Sequence, residues 1–517
     1  MNRYTPEDYK PKEFKKYEFK TQPFAHQKKA LAESWLRPYY ALLFEMGGGK
    51  TKCMIDTAAV QYIHGLINGV LIIAPKGVYR NWTEIEIPTH MPDGIDYRAM
   101  YWKSKNLQGK KYAQELSVFL SSLHDRLDIF SINVEALVTK AGFDACMKFV
   151  QSHDTLTIVD ESTRIKNPQA VRTKNAIKIA RESKYRRILT GTPITKSPLD
   201  LYSQCDFLSP ATYKPKAGIS IDNPLGFSNY ISFRSRYAVM KEISGSGPYA
   251  IKFPVAYINQ DELAEKLKKF SSRVLKTDCL DLPDKLYTTR NVELTEEQRR
   301  LYVQMKEEAK AELAGLSAQE DTIYAKSALT QLLRLHQLSC GFITNKDKQV
   351  LEIENNRIQE LLALLLEINL DAGKVIIWSN FVPAIEQIIS ALKAEYGDDS
   401  VVHFYGKTSA DDREKAKELF QDPTSPVKFF VGNPASAGMG ITLTQAHTTI
   451  YYSNSFDLEH RLQSEDRCHR IGQKNNVTYI DFIATPVDAY ILKKLKGKLN
   501  IATAVVDRKE IEEMLKE

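Results

Sequence analysis

The 517-residue chain carries 43% hydrophobic and 26% charged residues, proportions that exclude a disordered or fibrous protein and fit a well-cored one. At about three times a typical domain of roughly 150 residues, it is expected to hold two or three domains. Lys plus Arg number 71 against 64 Asp plus Glu, a net charge of +7, which permits a polyanionic partner without demanding one. The longest apolar runs, such as Val70 to Ala74 and Leu361 to Leu365, fall far short of the roughly 18 residues of a membrane span. Met1 to Glu7 has no apolar core before a small-residue cleavage site, so no secretory leader is expected. Cys53, Cys146, Cys205, Cys279, Cys340 and Cys468 form no C-x-x-C pair. They read as a reduced, cytoplasmic set without a zinc cluster.

In chain order, residues 1–20 form a polar tail that interleaves basic and aromatic side chains, among them Tyr9, Lys10, Phe14, Lys16, Tyr17 and Phe19. A tail packed loosely on the first domain is the plain reading, and a backbone-contacting arm the sharper one. From residue 41, short β-rich runs end in polar or glycine-rich loops: Ala41–Phe44, Val70–Ala74, Leu156–Val159 and Arg187–Leu189. Helical segments separate them, which predicts a mostly parallel sheet covered on both faces. Residues 208–258 break the pattern with Pro, Gly, Ser and aromatics, most loop-like at "SGSGP" over 244–248. Residues 259–280 and 295–340 read as helical, with a proline hinge at 281–284 between them. A second series follows at Val375–Trp378, Lys428–Val431, Thr449–Tyr452 and Val477–Phe482. The fold class expected is α/β, two parallel-sheet lobes with helical insertions between their sheets.

Four segments carry chemistry. After the first strand, "FEMGGGKT" over 44–51 sets Gly47, Gly48 and Gly49 before Lys50 and Thr51. Such glycines let backbone N–H groups approach phosphates, the lysine reaches the β/γ-phosphates, and the threonine hydroxyl suits Mg²⁺. The strict pattern has glycine at the position of Phe44. Strand 156–159 ends in Asp160 and Glu161. Asp160 is expected to hold Mg²⁺ through its water shell, and Glu161 to polarise the attacking water. Thr190, Gly191 and Thr192 make a hydroxyl-rich turn after a further strand, a linkage between the nucleotide site and what the lobe grips. Gln463, Arg467 and Arg470 stand at i, i+4 and i+7, which on one helix aligns an amide and two guanidiniums for a γ-phosphate. Gly472 is expected to end that helix. His460 and His469 lack the neighbours of a metal site.

Taken together, these segments resemble the Swi/Snf (sucrose non-fermenting) branch of superfamily-two helicase-like ATPases, from about residue 20 to 495. "FEMGGGKT" is similar to its motif I, "VLIIAPKGVYRNW" (70–82) to Ia, "VDESTRIKNP" (159–168) to II and "ILTGTPI" (188–194) to III. "KVIIWSNF" (374–381), "SAGMGITLTQA" (436–446) and "QSEDRCHRIGQ" (463–473) resemble motifs IV, V and VI. The resemblance implies two recombinase-like (P-loop) lobes with ATP and Mg²⁺ between them and double-stranded nucleic acid across both. It implies an adenine-reading Gln27, phosphate and magnesium residues Lys50 and Thr51, the acid pair Asp160 and Glu161, and arginine fingers Arg467 and Arg470. Backbone contacts fall on Lys76, Ser379 and Thr442, while Trp82 reads equally as core. The domain boundaries expected are a tail at 1–20, an ATP-binding lobe at 21–284 with an insertion at about 208–280, and a C-terminal lobe at 285–517 with a helical insertion at about 295–340.

The activity implied is ATP-dependent translocation on duplex or forked DNA in replication, recombination or repair, with partners among replication or recombination proteins and none in a membrane. "DEST" at 160–163, where many relatives read Asp-Glu-Ala-His, and the Gln-x-Glu-Asp-Arg of motif VI lean toward fork-remodelling relatives. A strand-separating DNA or RNA helicase, a motor that displaces DNA-bound proteins and a non-hydrolysing nucleic-acid scaffold are the alternatives. A compact, accessory-free member fits a bacterial or bacteriophage setting by analogy.

Overall fold

The computed structural model describes residues 17–103, 109–121, 126–195, 197–214, 219–244, 251–275, 282–314, 321–345, 347, 349–437, 441–497 and 508–514. The chain divides into two compact units, residues 1–280 and 281–517. The first is built on a seven-stranded parallel sheet in the order Ser271–Val274, Tyr39–Phe44, Tyr185–Leu189, Thr155–Asp160, Gly69–Ala74, Leu127–Asn133 and Tyr97–Tyr101. Strands Tyr39–Phe44 and Gly69–Ala74 read as near-continuous apolar runs because both faces are buried. Ala41, Leu43, Leu71 and Ile73 enter one core, while Tyr40, Leu42, Phe44, Val70 and Ile72 enter the other.

The strand Leu127–Asn133 escaped the sequence reading because Asp128 and Ser131 interrupt its apolar run. Both are buried with partners from elsewhere. Arg98 donates to both Asp128 oxygens at 2.9 Å, and Ser131 Oγ donates to Tyr79 O. Residues 259–280 are not one helix: a helix covers Gln260–Lys268, and Ser271–Val274 then joins the sheet beside Ala41–Phe44. Residues 208–258 hold more structure than their composition suggested. A hairpin of 212–214 with 219–221, the helix Tyr230–Tyr237 and a longer hairpin of 238–244 with 251–257 fill them. The 245–250 part of the loop-like stretch lies outside the described residues.

The second unit has a six-stranded parallel sheet in the order Lys285–Asn291, Val477–Ile483, Ala446–Tyr451, Lys374–Trp378, Phe429–Gly432 and Val401–Phe404. Val375 and Ile377 pack on one side, Ile376 and Trp378 on the other. The helical expectation at 295–340 is two helices, Glu296–Ala314 and Asp321–Ser339. Thr295 and Gln298 cap the first reciprocally, each side chain accepting from the other's backbone N–H at 3.2 Å. Of the residues expected to form a hinge, Pro283 O accepts from His469 Nε2 at 2.7 Å and Asp284 N donates to Asn476 Oδ1 at 3.0 Å. Both are thereby fastened to the second unit.

The tail reading changes where the structure describes it. Tyr17 OH donates to Asp56 Oδ1 at 2.7 Å, Phe19 lies under Lys52 with the ammonium 5.3 Å from the ring centroid, and Lys20 pairs with Asp93. Residues 17–20 are therefore packed on the first unit by specific contacts. Residues 1–16 lie outside the described residues. The five described cysteines are buried thiols, no helix among the described residues is long and apolar enough to cross a membrane, and no cluster of metal-ligating side chains occurs among them.

Candidate active site

Strands Tyr39–Phe44, Tyr185–Leu189 and Thr155–Asp160 are neighbours in the first sheet and all parallel, so their C-terminal ends lie side by side. Each end carries one expected segment: the glycine loop, the Thr190–Thr192 turn and the acid pair. The sheet topology thus gathers residues some 140 positions apart in sequence at one edge, where ligands of open α/β sheets bind.

Phe44 belongs to the strand, not to the loop, and its ring is buried in the core. This explains a phenylalanine where the strict phosphate-loop pattern has glycine. Gly49 caps the helix Lys50–Ile63 in the left-handed region at φ 74°, and a Cβ there would lie 2.0 Å from Gln27 Nε2. Only glycine meets both demands. The N-terminus of the helix directs free N–H groups toward the loop, a suitable cradle for an anion. Lys50 Nζ donates to Phe44 O at 2.9 Å, so the ammonium is held over the loop.

The helix Ala25–Ser34 leans on the loop through two side chains. Gln27 Nε2 donates to Gly49 O at 2.9 Å while its Oε1 accepts from Phe24 N at 2.7 Å. His26 Nε2 donates to Gly48 O at 2.9 Å. Gln27, expected to read adenine, here braces the glycine loop. His26 was missed, because a lone histidine beside a glutamine carries no signal until the loop is folded against it.

Asp160 Oδ2 accepts from Trp82 Nε1 at 3.0 Å, and Oδ1 accepts from the Glu161 N–H at 3.0 Å. Trp82 is 1% exposed, so it is core and also a direct partner of the acid pair. Burial, then the Glu161 charge, pushes the Asp160 carboxyl up to about 6, against the pull of Trp82 and Lys50. Glu161 sits at φ 48° and ψ 61°, one of two described non-glycine residues with positive φ. A carboxylate and the Thr51 hydroxyl are hard oxygen donors that fit Mg²⁺, an ion that takes few protein ligands and keeps its waters and phosphates.

The threonine turn lies against the glycine loop. Thr190 N donates to Leu42 O at 3.2 Å, and a Cβ on Gly191 would lie 3.2 Å from Met46 N and 3.3 Å from Glu45 Cα. Lys76 is exposed just beyond strand Gly69–Ala74.

In the second unit the single helical face expected for Gln463, Arg467 and Arg470 does not form. The helix is Leu458–Glu465, and Arg467 and Arg470 lie in the turns beyond it, so Gly472 (φ 99°) ends a turn and not the helix. Tertiary partners stop the helix. Lys285, from the edge strand, holds Glu465 at 3.0 Å, and the Arg467 carbonyl accepts from Leu443 N at 2.9 Å. Gln473 Nε2 donates to Ala446 O at 2.9 Å and Cys468 O at 3.2 Å, closing the turns. Arg467 is 1% exposed, and both it and Arg470 direct Nη1 to Ile441 O at 3.4 Å. Gln463 Nε2 donates to Glu459 Oε1. Arg461, unremarked in the sequence, anchors the helix through a bidentate pair with Asp481 and lies over the Tyr451 ring at 3.6 Å. Ser379 is buried with its hydroxyl bonded to Ser453 Oγ at 3.1 Å, whereas Thr442 is half-buried.

A family model described as SNF2-related domain matches residues 40–342, and one described as helicase conserved C-terminal domain matches 356–472. The chain is 24% identical over 476 residues to the chromatin structure-remodeling complex subunit snf21 of Schizosaccharomyces pombe, covering 89% of this chain and 37% of that one. It is 27% identical over 442 residues to the uncharacterized ATP-dependent helicase MG018 of Mycoplasma genitalium, covering 85% and 37%. The chain therefore spans little more than a third of either relative. A solved SWI2/SNF2 ATPase core of Sulfolobus solfataricus in complex with dsDNA is 22% identical, with 98% and 99% coverage and a TM-score of 0.41. With a family model over more than half of its length and two parallel-sheet units to match, the chain belongs to the SNF2-related family, the Swi/Snf branch of the superfamily-two helicase-like ATPases.

Proposed function

We propose that this chain is a nucleic-acid-dependent ATPase that moves along duplex or forked DNA. The observation that carries the reading is the meeting of the glycine loop, the acid pair and the threonine turn at three adjacent strand ends. Lys50 and the helix N-terminus compensate phosphate charge, and the Glu161 carboxylate takes a proton from the attacking water. Thr51 and Asp160 are the residues to hold Mg²⁺, which neutralises charge on the β- and γ-phosphates when bound. Arg467 and Arg470 as arginine fingers, Gln463 and Gln27 toward the nucleotide, and Lys76, Ser379 and Thr442 toward the DNA backbone belong to the same proposal. Relatives named as a chromatin-remodelling subunit and an ATP-dependent helicase support a DNA partner. Grip through phosphates predicts binding that weakens steeply with salt and shows little base preference. Replication or recombination proteins are the partners this activity fits.

The test is steady-state ATP hydrolysis by the purified chain, alone and with single-stranded, duplex and forked DNA and with RNA. Strong stimulation by duplex or forked DNA is expected. Lys50→Ala and Glu161→Gln should each lose turnover by about 1,000-fold or more, with ATP binding retained in Glu161→Gln. Normal turnover in Glu161→Gln would remove Glu161 from the base role, and absence of hydrolysis with every nucleic acid would favour a scaffold. A strand-separating helicase is the second reading, favoured by the antiparallel hairpin of 238–244 with 251–257, which exposes Val239 and Val255. Unwinding of a blunt fluorescent duplex distinguishes the two.

A further inference from the structure

Ser162 follows the acid pair and opens a short turn of helix, Ser162–Ile165. Its hydroxyl donates to Gln204 Oε1 at 2.6 Å. Gln204 lies in the middle of a helix, Leu201–Leu208, in which every residue is buried. Its Nε2 donates onward to Pro193 O and Asp200 O, each at 2.8 Å. Both Ser162 and Gln204 are 0% exposed. An amide in that position has no water to bond, so the fold tolerates it only with both ends paired. A second tie runs beside the first: Lys166 Nζ donates to Thr195 Oγ1, and Thr195 N and Oγ1 donate to Asp200 Oδ2 at 3.0 and 2.9 Å.

These bonds bear on Glu161. A non-glycine residue stays in the left-handed region only where its surroundings over-determine it. Glu161 at φ 48° is fixed from both sides, by Asp160 on the strand and by Ser162 on Gln204. The far end of the same amide grips Pro193, the residue directly after Thr190, Gly191 and Thr192. A fully paired buried network of this kind specifies one arrangement and moves as a unit.

We propose that Gln204 is a positioning residue that locks the left-handed Glu161 to the Thr190–Thr192 turn through Ser162 and the Pro193 carbonyl, so that displacement of the turn moves the Glu161 carboxylate. The inference rests on the ATPase reading above. Gln204 touches neither nucleotide nor reacting atoms; it acts through Ser162.

The experiment compares wild type, Gln204→Leu, Ser162→Ala, the double variant and Ser162→Thr, all in the full chain. Duplex-stimulated kcat, KM for ATP and melting temperature are measured for each. Each single deletion should lower kcat about tenfold while KM stays within about twofold. The double variant should be no slower than the singles, because both remove one linkage. Its melting temperature should rise above that of Gln204→Leu, since the Ser162 hydroxyl is then no longer left without its acceptor, without recovery of kcat. Ser162→Thr, which keeps the hydroxyl, should keep kcat. Recovery of kcat together with melting temperature would reduce Gln204 to a packing role and overturn the proposal. So would effects that multiply in the double variant. Wild-type hydrolysis with unaffected variants sinks the relay alone, whereas no wild-type hydrolysis with any nucleic acid sinks the ATPase reading and the relay with it.

Discussion

Asp160 in the first unit and Asp488 in the second are both buried carboxylates, and their surroundings push them in opposite directions. Burial works against the charged form at each. At Asp488 it is more than offset. Arg357 Nη2 donates to Oδ2 at 2.6 Å, His336 Nε2 lies 3.4 Å from Oδ1, and the backbone of Ala484 and Thr485 donates at 3.0 Å. The carboxyl is thereby held well below the usual range. Arg357 also donates to Ser339 O and Tyr452 O, so this one cluster joins three helices and a strand end. Asp160 has only an indole and a backbone N–H as direct donors, with the Lys50 ammonium turned to Phe44 O. Asp56 falls between them. Lys52 and Tyr17 reach it at 2.8 and 2.7 Å, yet burial still leaves it raised. What separates the depressed Asp488 carboxyl from the raised Asp160 and Asp56 carboxyls is the number and charge of the donors fixed on each, not burial alone.

The comparison breaks most visibly at Arg357. Arg357→Met strands the Asp488 charge and should cost about 3–5 kcal/mol in urea denaturation. A loss below about 1 kcal/mol would mean the cluster is not what holds the second unit's helices together.

A smaller effect comes from pH. The folded Asp160 carboxyl sits at about 6, above its unfolded value of about 4. Its neutral form is therefore favoured by folding, and its contribution declines as pH rises from about 4 to about 6. Relative to wild type, Asp160→Ala should gain on the order of 2–3 kcal/mol across that window, whatever its pH-independent offset. Asp488 has the opposite sign. Its folded value is depressed, so its contribution is complete above about pH 4 and is lost as pH falls toward the folded value. The advantage of wild type over Asp488→Ala should shrink only in acid. Parallel curves for the two pairs of proteins would dissolve the contrast.

The smallest change sharpens the intermediate case. Tyr17→Phe removes one donor from Asp56 and leaves Lys52 in place, and should cost about 1 kcal/mol of stability. No measurable loss would return residues 17–20 to a loosely packed tail.

Much of the site was legible because its parts are local. A glycine loop, an acid pair at a strand end and a threonine turn each declare themselves within a few residues, and their order along the chain suffices to name the family. The braces around them were not legible. Trp82 meets Asp160 across 78 residues and Ser162 meets Gln204 across 42. No local pattern distinguishes such an indole or amide from ordinary core. The helix expected over Gln463 to Arg470 failed for the same reason: its periodicity was helical, but Glu465 was claimed by Lys285 and the Arg467 carbonyl by Leu443, both from outside the segment.

The sequence by itself determined the two α/β units and several of their strands, because burial on both faces favours apolar runs such as 70–74 and 375–378. Only the tertiary structure decided that Leu127–Asn133 and Ser271–Val274 are strands, that the motif after Leu458 is helical for eight residues only, and that Glu161 is held left-handed. Polar residues in a core are stable only with their partners in place, and those partners come from remote parts of the chain.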